Sequence, residues 1–180
     1  MTAELLTTVP QAMAILDALP VSPRVERRAL LETNGCVLAE DVAADRDYPA
    51  FDKSLMDGFA AVVGASTEPL QLIGEVAAGT SWSGPPLVNG QAVRIMTGAP
   101  LPTAADGLSV GVVPVEQATV TNDRVAFDVD VAADRYIARR GSDRGEGEVV
   151  LSSGTRLSAR HVATLATLGI VRPAVFAPPK

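Results

Sequence analysis

Three separated loop segments carry the side chains with which this sequence could do chemistry. In the first, FDKSLMDGFA (51–60), Ser54 offers a hydroxyl and Asp57 a carboxylate. Gly58 follows Asp57 and indicates either a close backbone approach or a positive φ at that point. Oxygen donors of this kind bind hard cations such as Mg²⁺ or contact an anionic substrate. The competing interpretation is an Asx turn that leads into a strand.

The second segment is RIMTGAPLP (94–102), in which a predicted strand ends at Thr97 and Gly98. The Thr97 hydroxyl and the unhindered N–H of Gly98 form a modest anion-binding pair. An ordinary junction between a strand and a turn would show the same pattern, so the alternative stays open.

The third segment is RRGSDRG (139–145), where Arg140 and Asp143 lie in a glycine-rich loop. Guanidinium groups in such a loop could bind phosphate, and the neighbouring carboxylate could help to position a metal. A solvated basic loop is the structural alternative.

The composition excludes several other kinds of site and partner. Cys36 is the only cysteine and His161 the only histidine in 180 residues, so an internal disulfide and a thiolate-rich metal site are excluded. His161 lies in the predicted first turns of a helix with no partner motif, and we expect it to be structural or solvent-facing. With 15 Lys and Arg against 21 Asp and Glu, the net charge of −6 does not favour binding to nucleic acid or to anionic membranes.

The N-terminal stretch lacks the basic region and the cleavage pattern of a signal peptide. No apolar run approaches the length that spans a bilayer. The expected compartment is therefore the cytoplasm, with no membrane partner.

Short β-type runs separated by Gly, Pro, Asn and Asp fill the middle of the chain. We predict strands over Phe59–Val63, Leu70–Val76, Ala92–Met96 and Val110–Val115, and a hairpin whose arms are 118–121 and 125–129. In the second arm Val125, Phe127 and Val129 alternate with other residues, which is typical of a half-buried strand. Many short strands without long helices predict a small barrel or sandwich.

The two ends of the chain have helical and mixed patterns. Apolar spacing predicts helices over 9–19, 25–33 and 159–168, and short extended pieces over 36–39, over 148–151 and from Ile170. Pro20 should stop the first helix, Ser158 should cap the last, and Gly169 should end it. The proline-rich end at 177–180 is typical of a linker or of a frayed terminus.

Taken in order, the three loop segments resemble blocks of one family, the molybdopterin molybdenumtransferases. FDKSLMDGFA resembles the family block Phe-Asp-x-Ser-Ala-Met-Asp-Gly-Tyr-Ala, RIMTGAP matches Arg-Ile-Met-Thr-Gly-Ala-Pro without a change, and RRGSD resembles Arg-Arg-Gly-Glu-Asp. The resemblance covers essentially the whole chain. The sequence differs from these blocks in having Leu55 in place of Ala, Phe59 in place of Tyr and Ser142 in place of Glu.

The resemblance implies an α+β fold and an elongated molecule. The two chain ends, 1–46 and 144–180, would build one small discontinuous α/β domain. The segment 47–143 would form an inserted β-rich, barrel-like domain. A C-terminal pterin-binding domain that the family carries would be absent from this chain.

The resemblance also implies a transferase that inserts molybdenum from molybdate into adenylylated molybdopterin, with release of AMP and with Mg²⁺ as the divalent cation. The family forms homodimers, with the active-site cleft between the pterin-binding domain of one subunit and the N-terminal domains of the other. Asp57, Thr97 and Asp143 would be catalytic, with Asp57 and Asp143 holding the metal or the molybdate. The further substrate-binding residues would be Ser54, Gly98 and Arg140.

Three functional hypotheses follow. In the first, the chain is the N-terminal half of the enzyme, inactive alone and completed by a pterin-binding domain from the same gene or from a partner chain. In the second, the chain is a non-catalytic dimerisation or scaffold module of the same family. The third, a small-ligand β-domain of unrelated function, is disfavoured by the intact RIMTGAP block.

Overall fold

The computed structural model describes residues 7–19, 23–65 and 68–178, and this part of the chain is mostly β with two α-helices. The helices are α1 (Val9–Asp17) and α2 (Ala159–Thr167), and two short 3-10 helices lie at Leu30–Glu32 and Val115–Gln117. The strands are β1 (Val25–Arg27), β2 (Val37–Leu38), β3 (Val42–Ala43), β4 (Lys53–Ser54), β5 (Gly58–Val62), β6 (Leu70–Val76), β7 (Gln91–Ile95), β8 (Val110–Pro114), β9 (Ala118–Thr121), β10 (Arg124–Phe127), β11 (Ile137–Ala138), β12 (Val149–Leu151) and β13 (Ala174–Phe176). Neither of these helices is long and apolar enough to cross a membrane.

The chain divides into two compact units. One unit is Ala43–Val150, and the other consists of the segments that end at Val42 and begin at Leu151. All six residues predicted to build a site belong to the unit Ala43–Val150, so this unit alone determines their geometry.

A six-stranded sheet forms the framework of the unit Ala43–Val150. Its strand order is β8-β5-β7-β6-β10-β9, and it curls into half of a barrel. All neighbouring pairs are antiparallel except β6 and β7, which run parallel. A separate two-stranded ribbon pairs β4 with β11.

Strand β5 lies inside this sheet with both of its faces buried. Phe59 and Ala61 face one apolar cluster, and Ala60 and Val62 face the other. Most members of the two clusters are Ala, Val, Leu or Ile, as expected for a chain with 47% hydrophobic but only 4% aromatic residues. Phe59 contacts Phe127 with a ring-centroid distance of 6.2 Å. The strand that follows Asp57 is therefore fixed on both sides.

The terminal unit is built on an antiparallel sheet of β1, β13 and β2. Helix α2 packs against it through Leu165, which is fully buried. Ser158 and His161 close the first turn of α2, because the Ser158 N–H donates to Nδ1 of His161 at 3.2 Å. Gly169 adopts a positive φ of 71° at the helix end. His161 thus has the structural role that its sequence context indicates.

Most of the predicted elements are confirmed, including helices α1 and α2 and the hairpin of β9 and β10. The helix predicted over 25–33 is wrong, because Val25–Arg27 is a strand that pairs with β13 and only a 3-10 turn follows it. The strand predicted to begin at Ile170 is also displaced. The N–H of Ile170 closes helix α2 by donating to the carbonyl of Leu165 at 2.9 Å, and the strand begins only at Ala174. The predicted stop at Pro20 and the last two residues lie outside the described residues.

Gly58 is required by a close backbone approach and not by a positive φ. A Cβ atom at this position would lie 2.1 Å from the carbonyl oxygen of Val113 on β8. We predict that Gly58→Ala lowers the free energy of unfolding by about 1–3 kcal/mol, because β5 and β8 must separate to admit the methyl group. Urea denaturation measures this change. The matched control is Gly145→Ala, where nothing lies within 4 Å of the added Cβ, and an equal effect of the two substitutions would contradict the prediction.

Candidate functional site

The first predicted segment lies between the other two. Its extended stretch 52–55 is hydrogen-bonded along one edge to the turn that follows β7. The N–H of Ser54 donates to the carbonyl of Ala99 at 3.0 Å, and the N–H groups of Gly98 and Leu101 donate to the carbonyls of Ser54 and Asp52 at 2.8 and 3.0 Å. The RIMTGAP segment is therefore tied to this edge by main-chain bonds alone.

The other edge of the same stretch pairs with residues 136–138, which lead into the arginine loop (139–145, the third predicted segment). Ile137 lies opposite Ser54, and Ala138 lies opposite Lys53, in the ribbon of β11 and β4. The N–H of Leu55 also donates to the carbonyl of Tyr136 at 2.8 Å. The three segments are thus brought side by side although about forty residues separate each from the next.

Asp57 and Thr97 meet because β5 and β7 are antiparallel neighbours. Gly58 pairs with Ile95, so the residue before β5 lies beside the residues that follow β7. Oδ1 of Asp57 accepts hydrogen bonds from the Thr97 N–H at 2.7 Å and from the Thr97 hydroxyl at 2.6 Å. The main-chain carbonyl of Asp57 also accepts the N–H of Val115 at 3.0 Å. Asp57 is therefore fixed at both its side chain and its main chain.

These bonds keep Asp57 ionised and leave one of its oxygens available. The Thr97 hydroxyl and then the Thr97 N–H lower the pKa of Asp57 below its usual range, and the charge of Arg94 adds to the effect. The structure records no hydrogen bond to Oδ2 from any described residue. The carboxylate is exposed, so Oδ2 can act as a charged oxygen ligand. The Thr97 hydroxyl donates its proton to Asp57 and cannot at the same time donate it to an oxyanion.

Ser54 and Gly98 use their polar groups inside the protein. Ser54 is buried, and its hydroxyl donates to the carbonyl of Met56 at 2.6 Å. The N–H of Gly98 donates to the carbonyl of Ser54. In this arrangement both residues hold the two turns together, and neither presents a free donor to a ligand.

The two successive arginines of the third segment have different surroundings. The guanidinium of Arg139 lies between two carboxylates and pairs with both Asp52 and Asp134. The guanidinium of Arg140 has one recorded bond among the described residues, from Nε to Oδ2 of Asp47 at 2.6 Å, and the side chain is 64% exposed. Its terminal nitrogens have no recorded partner among the described residues. Arg140 keeps both terminal nitrogens for an anionic ligand, whereas both terminal nitrogens of Arg139 already donate to carboxylates.

Asp143 lies in the loop after Arg140 and is held by its main chain. Its N–H donates to the carbonyl of Tyr48 at 2.9 Å, and its carboxylate is exposed. Within the described residues the structure gives this carboxylate no hydrogen bond or ion pair, whereas Asp57 and Thr97 bond each other directly. The main chain of the Arg140–Asp143 loop is bonded to Tyr48 and Pro49, and no recorded hydrogen bond among the described residues joins this loop to the Asp57–Thr97 pair.

The described residues contain no group of three or more His, Cys, Asp or Glu side chains that could hold a metal ion. Mg²⁺ in proteins commonly keeps several waters and is bound by one or two carboxylates together with substrate phosphates. The free Oδ2 of Asp57 fits that limited role. A metal here would be held jointly by the chain and by its substrate.

Three carboxylates that support the site were not among the predicted site residues, namely Asp47, Asp52 and Asp134. Asp52 accepts the main-chain N–H of Arg140 at 2.8 Å as well as the guanidinium of Arg139. These two contacts hold the pKa of Asp52 below its usual range, with the N–H of Arg140 as the larger cause. For Asp52 the only signal in the sequence was the opposite charge of the first and third segments, and Asp47 and Asp134 lie outside all three segments. Opposite charge does not show which acid pairs with which arginine.

Comparison with known proteins agrees with this architecture. The family model described as the MoeA N-terminal region, domains I and II, matches residues 7–169. The chain is 36% identical over 168 residues to the molybdopterin molybdenumtransferase of Synechococcus elongatus. The aligned region covers 88% of this chain and 40% of that protein. It is 34% identical over 169 residues to the molybdopterin molybdenumtransferase of Haemophilus influenzae, with 91% and 40% covered. A crystal structure of the molybdopterin biosynthesis MoeA protein from Pyrococcus horikoshii OT3 has a TM-score of 0.82 at 32% identity, covering 93% of this chain and 45% of that one. The chain thus spans less than half the length of these relatives.

Thr97→Val tests the cause of the low pKa of Asp57. The variant keeps the N–H of residue 97 but loses the hydroxyl, so the pKa of Asp57 should rise toward its ordinary value. A carboxyl whose folded pKa is depressed stabilises the fold above its unfolded pKa, and that stabilisation is lost as pH falls through the folded pKa. In Thr97→Val this stabilisation should therefore be smaller, and its loss should be complete at a higher pH, while the unfolded-state pKa at which the loss begins stays the same. Carbon-13 NMR titration of the carboxyl measures the shift, and Thr121→Val, an exposed threonine on β9, is the control. An unchanged titration of Asp57 in Thr97→Val would show that the Thr97 hydroxyl does not lower the pKa of Asp57.

Proposed function

This chain belongs to the MoeA N-terminal family, and we propose that it supplies the N-terminal part of a molybdopterin molybdenumtransferase. The shared name of the relatives supports a role in molybdenum cofactor biosynthesis. The reaction we propose is the insertion of molybdenum from molybdate into adenylylated molybdopterin, with release of AMP. The chain covers less than half of these relatives. In this proposal it is inactive alone and acts together with a pterin-binding domain from the same gene or from a partner chain.

The observation that carries the proposal is the bond between Asp57 and Thr97. Metal insertion needs no strong nucleophile; it needs charged oxygen ligands and fixed donors around the oxygens of molybdate and phosphate. One carboxylate oxygen of Asp57 is held by Thr97, and the other is free and charged. Asp57 is the ligand for Mg²⁺ or for molybdate in this proposal, and Thr97 orients it.

The remaining residues complete the proposed site from the third segment. Arg140 binds phosphate or molybdate oxygens through its free terminal nitrogens, since a guanidinium can bond an oxyanion with two parallel N–H groups. Asp143 is a second metal or molybdate ligand once substrate oxygens are present. A bound Mg²⁺ would supply positive charge that neutralises the phosphate oxygens. The buried groups of Ser54 and Gly98 contribute by holding the turns.

The assembly that we propose follows the family. The chain forms a homodimer in the cytoplasm, with 1–46 and 144–180 as a discontinuous α/β domain and 47–143 as a β-rich domain. The existence of two compact units supports this division. Helix α1 buries none of its residues, and its apolar side chains Val9, Met13 and Ile15 are 77%, 52% and 59% exposed. These exposed side chains support dimerisation, and they support equally the alternative of a non-catalytic dimerisation or scaffold module.

A chimera separates the catalytic proposal from the scaffold alternative. The chain replaces the matching region of the Synechococcus elongatus relative, and AMP release is measured with adenylylated molybdopterin and molybdate. Asp57→Asn should lower the rate about 100-fold, because one charged ligand of the reacting oxygens is lost. The matched control is Asp128→Asn, an exposed carboxylate after β10 that should leave the rate unchanged. A chimera that dimerises but has the same rate with and without Asp57 would support the scaffold alternative.

A further inference from the structure

We propose that Asp47 is a positioning residue that joins the two ends of the Arg140–Glu146 loop and thereby aims the guanidinium of Arg140 at an anionic substrate. The target of Arg140 rests on the proposed function, whereas the role of Asp47 in ordering the loop does not. Asp47 was not among the residues that the sequence predicted for the site.

One carboxylate bridges two residues that lie six positions apart. Oδ2 of Asp47 accepts the Nε–H of Arg140 at 2.6 Å, and Oδ1 accepts the main-chain N–H of Glu146 at 2.9 Å. The side chain of Asp47 is only 22% exposed, compared with 64% for Arg140. Both oxygens of a half-buried acid are therefore engaged by the start and the end of the same loop. Asp143, the other predicted site residue of this segment, lies inside the bridge.

The backbone of the loop is shaped to fit this acid. Gly141 has a φ of +71°, and a Cβ atom there would lie 3.4 Å from Oδ1 of Asp47. The N–H of Gly141 donates to the carbonyl of Pro49 at 2.9 Å, and the N–H of Asp143 donates to the carbonyl of Tyr48 at 2.9 Å. The loop therefore lies along residues 47–49, with Asp47 at its base.

The bridge leaves the binding edge of Arg140 free. Asp47 contacts only Nε, so the two terminal amino groups and their four N–H donors remain for a ligand. Arg139 shows the contrasting arrangement, because carboxylates occupy both of its edges. A guanidinium that is fixed at Nε and free at its two terminal nitrogens can bond two oxygens of phosphate or molybdate at once.

The chemistry of the bridge requires a carboxylate. Two N–H donors converge on the side chain, and each needs its own acceptor oxygen. Asparagine offers a single oxygen, so its amide group would face either Arg140 or Glu146 with a second donor. Asp47→Asn should thus break one bond of the bridge while changing the size of the side chain very little.

The first experiment compares Asp47→Asn with Asp134→Asn by nitrogen-15 NMR of the full chain. In Asp47→Asn the Nε–H signal of Arg140 should shift and exchange faster with water, and the amides of residues 141–146 should show faster internal motion. In Asp134→Asn the Nε–H signal of Arg139 should change, and that of Arg140 should not. An unchanged Arg140 signal and unchanged loop relaxation in Asp47→Asn would overturn the proposal.

A measurement on the unaltered chain decides the matter if the variant does not fold. The Nε–H of Arg140 should exchange with water more slowly than that of Arg160. Arg160 is exposed on α2, and its guanidinium has no recorded partner among the described residues. Equal exchange rates for the two arginines would show that Asp47 does not hold Arg140, and would overturn the proposal.

The second experiment uses molybdate alone as the probe. Titration should shift the Arg140 side-chain signals of the unaltered chain, and the dissociation constant should be about 10-fold higher in Asp47→Asn, the size of the loss expected for one charge-assisted hydrogen bond. Asp134→Asn should bind as the unaltered chain does. Equal affinity in Asp47→Asn and the unaltered chain would overturn the positioning role. If molybdate shifts no signal in the unaltered chain, the substrate contact of Arg140 in the proposed function fails, and the loop measurements still decide the role of Asp47.

Discussion

The extended stretch 52–55 is the constraint on which the rest of the site depends. It accepts and donates main-chain hydrogen bonds along both of its edges, to the turn after β7 on one side and to the segment before the arginine loop on the other. Such bonds are independent of side-chain identity, so three sequence-distant segments are brought together by backbone geometry. Side chains then refine the arrangement, since the carboxylate of Asp52 bonds both Arg139 and the N–H of Arg140.

Within this frame the charged groups divide into those that fix the loops and those that remain free. Asp47 and Asp52 bond through both oxygens to residues 139–146, and Asp134 bonds to Arg139 through Oδ1. Oδ1 of Asp57 accepts both hydrogen bonds from Thr97, and Oδ2 has no recorded partner among the described residues. Among the predicted site residues, the groups without a recorded partner in the described part of the chain are one carboxylate oxygen of Asp57, the two terminal nitrogens of Arg140 and the carboxylate of Asp143. Oxygen ligands and a guanidinium, without a nucleophile, match chemistry on oxyanions and hard cations.

Local patterns made much of the fold predictable. The hairpin of β9 and β10 carries alternating apolar residues and a turn dipeptide, and α2 carries a cap, an apolar stripe and a terminal glycine. The segment Val25–Arg27 was predicted as helix because its strand partner lies about 150 residues away. A pattern read over neighbouring residues cannot detect a partner at that distance. The same limit applies to the site. The motif residues Asp57 and Thr97 were identifiable, but their direct bond follows from the register of β5 against β7. The supporting acids in loops have no periodicity, and only the folded structure identifies their partners.

Native-state hydrogen exchange tests the central stretch most directly. The amides of Leu55, Gly98 and Leu101 donate to carbonyls that join the three segments. They should exchange only through the same large-scale unfolding that exposes the amide of Ala60 in the buried strand β5. If these three amides exchange as fast as the amide of the exposed turn residue Gly79, the segments are not held together, and the account of the site is contradicted.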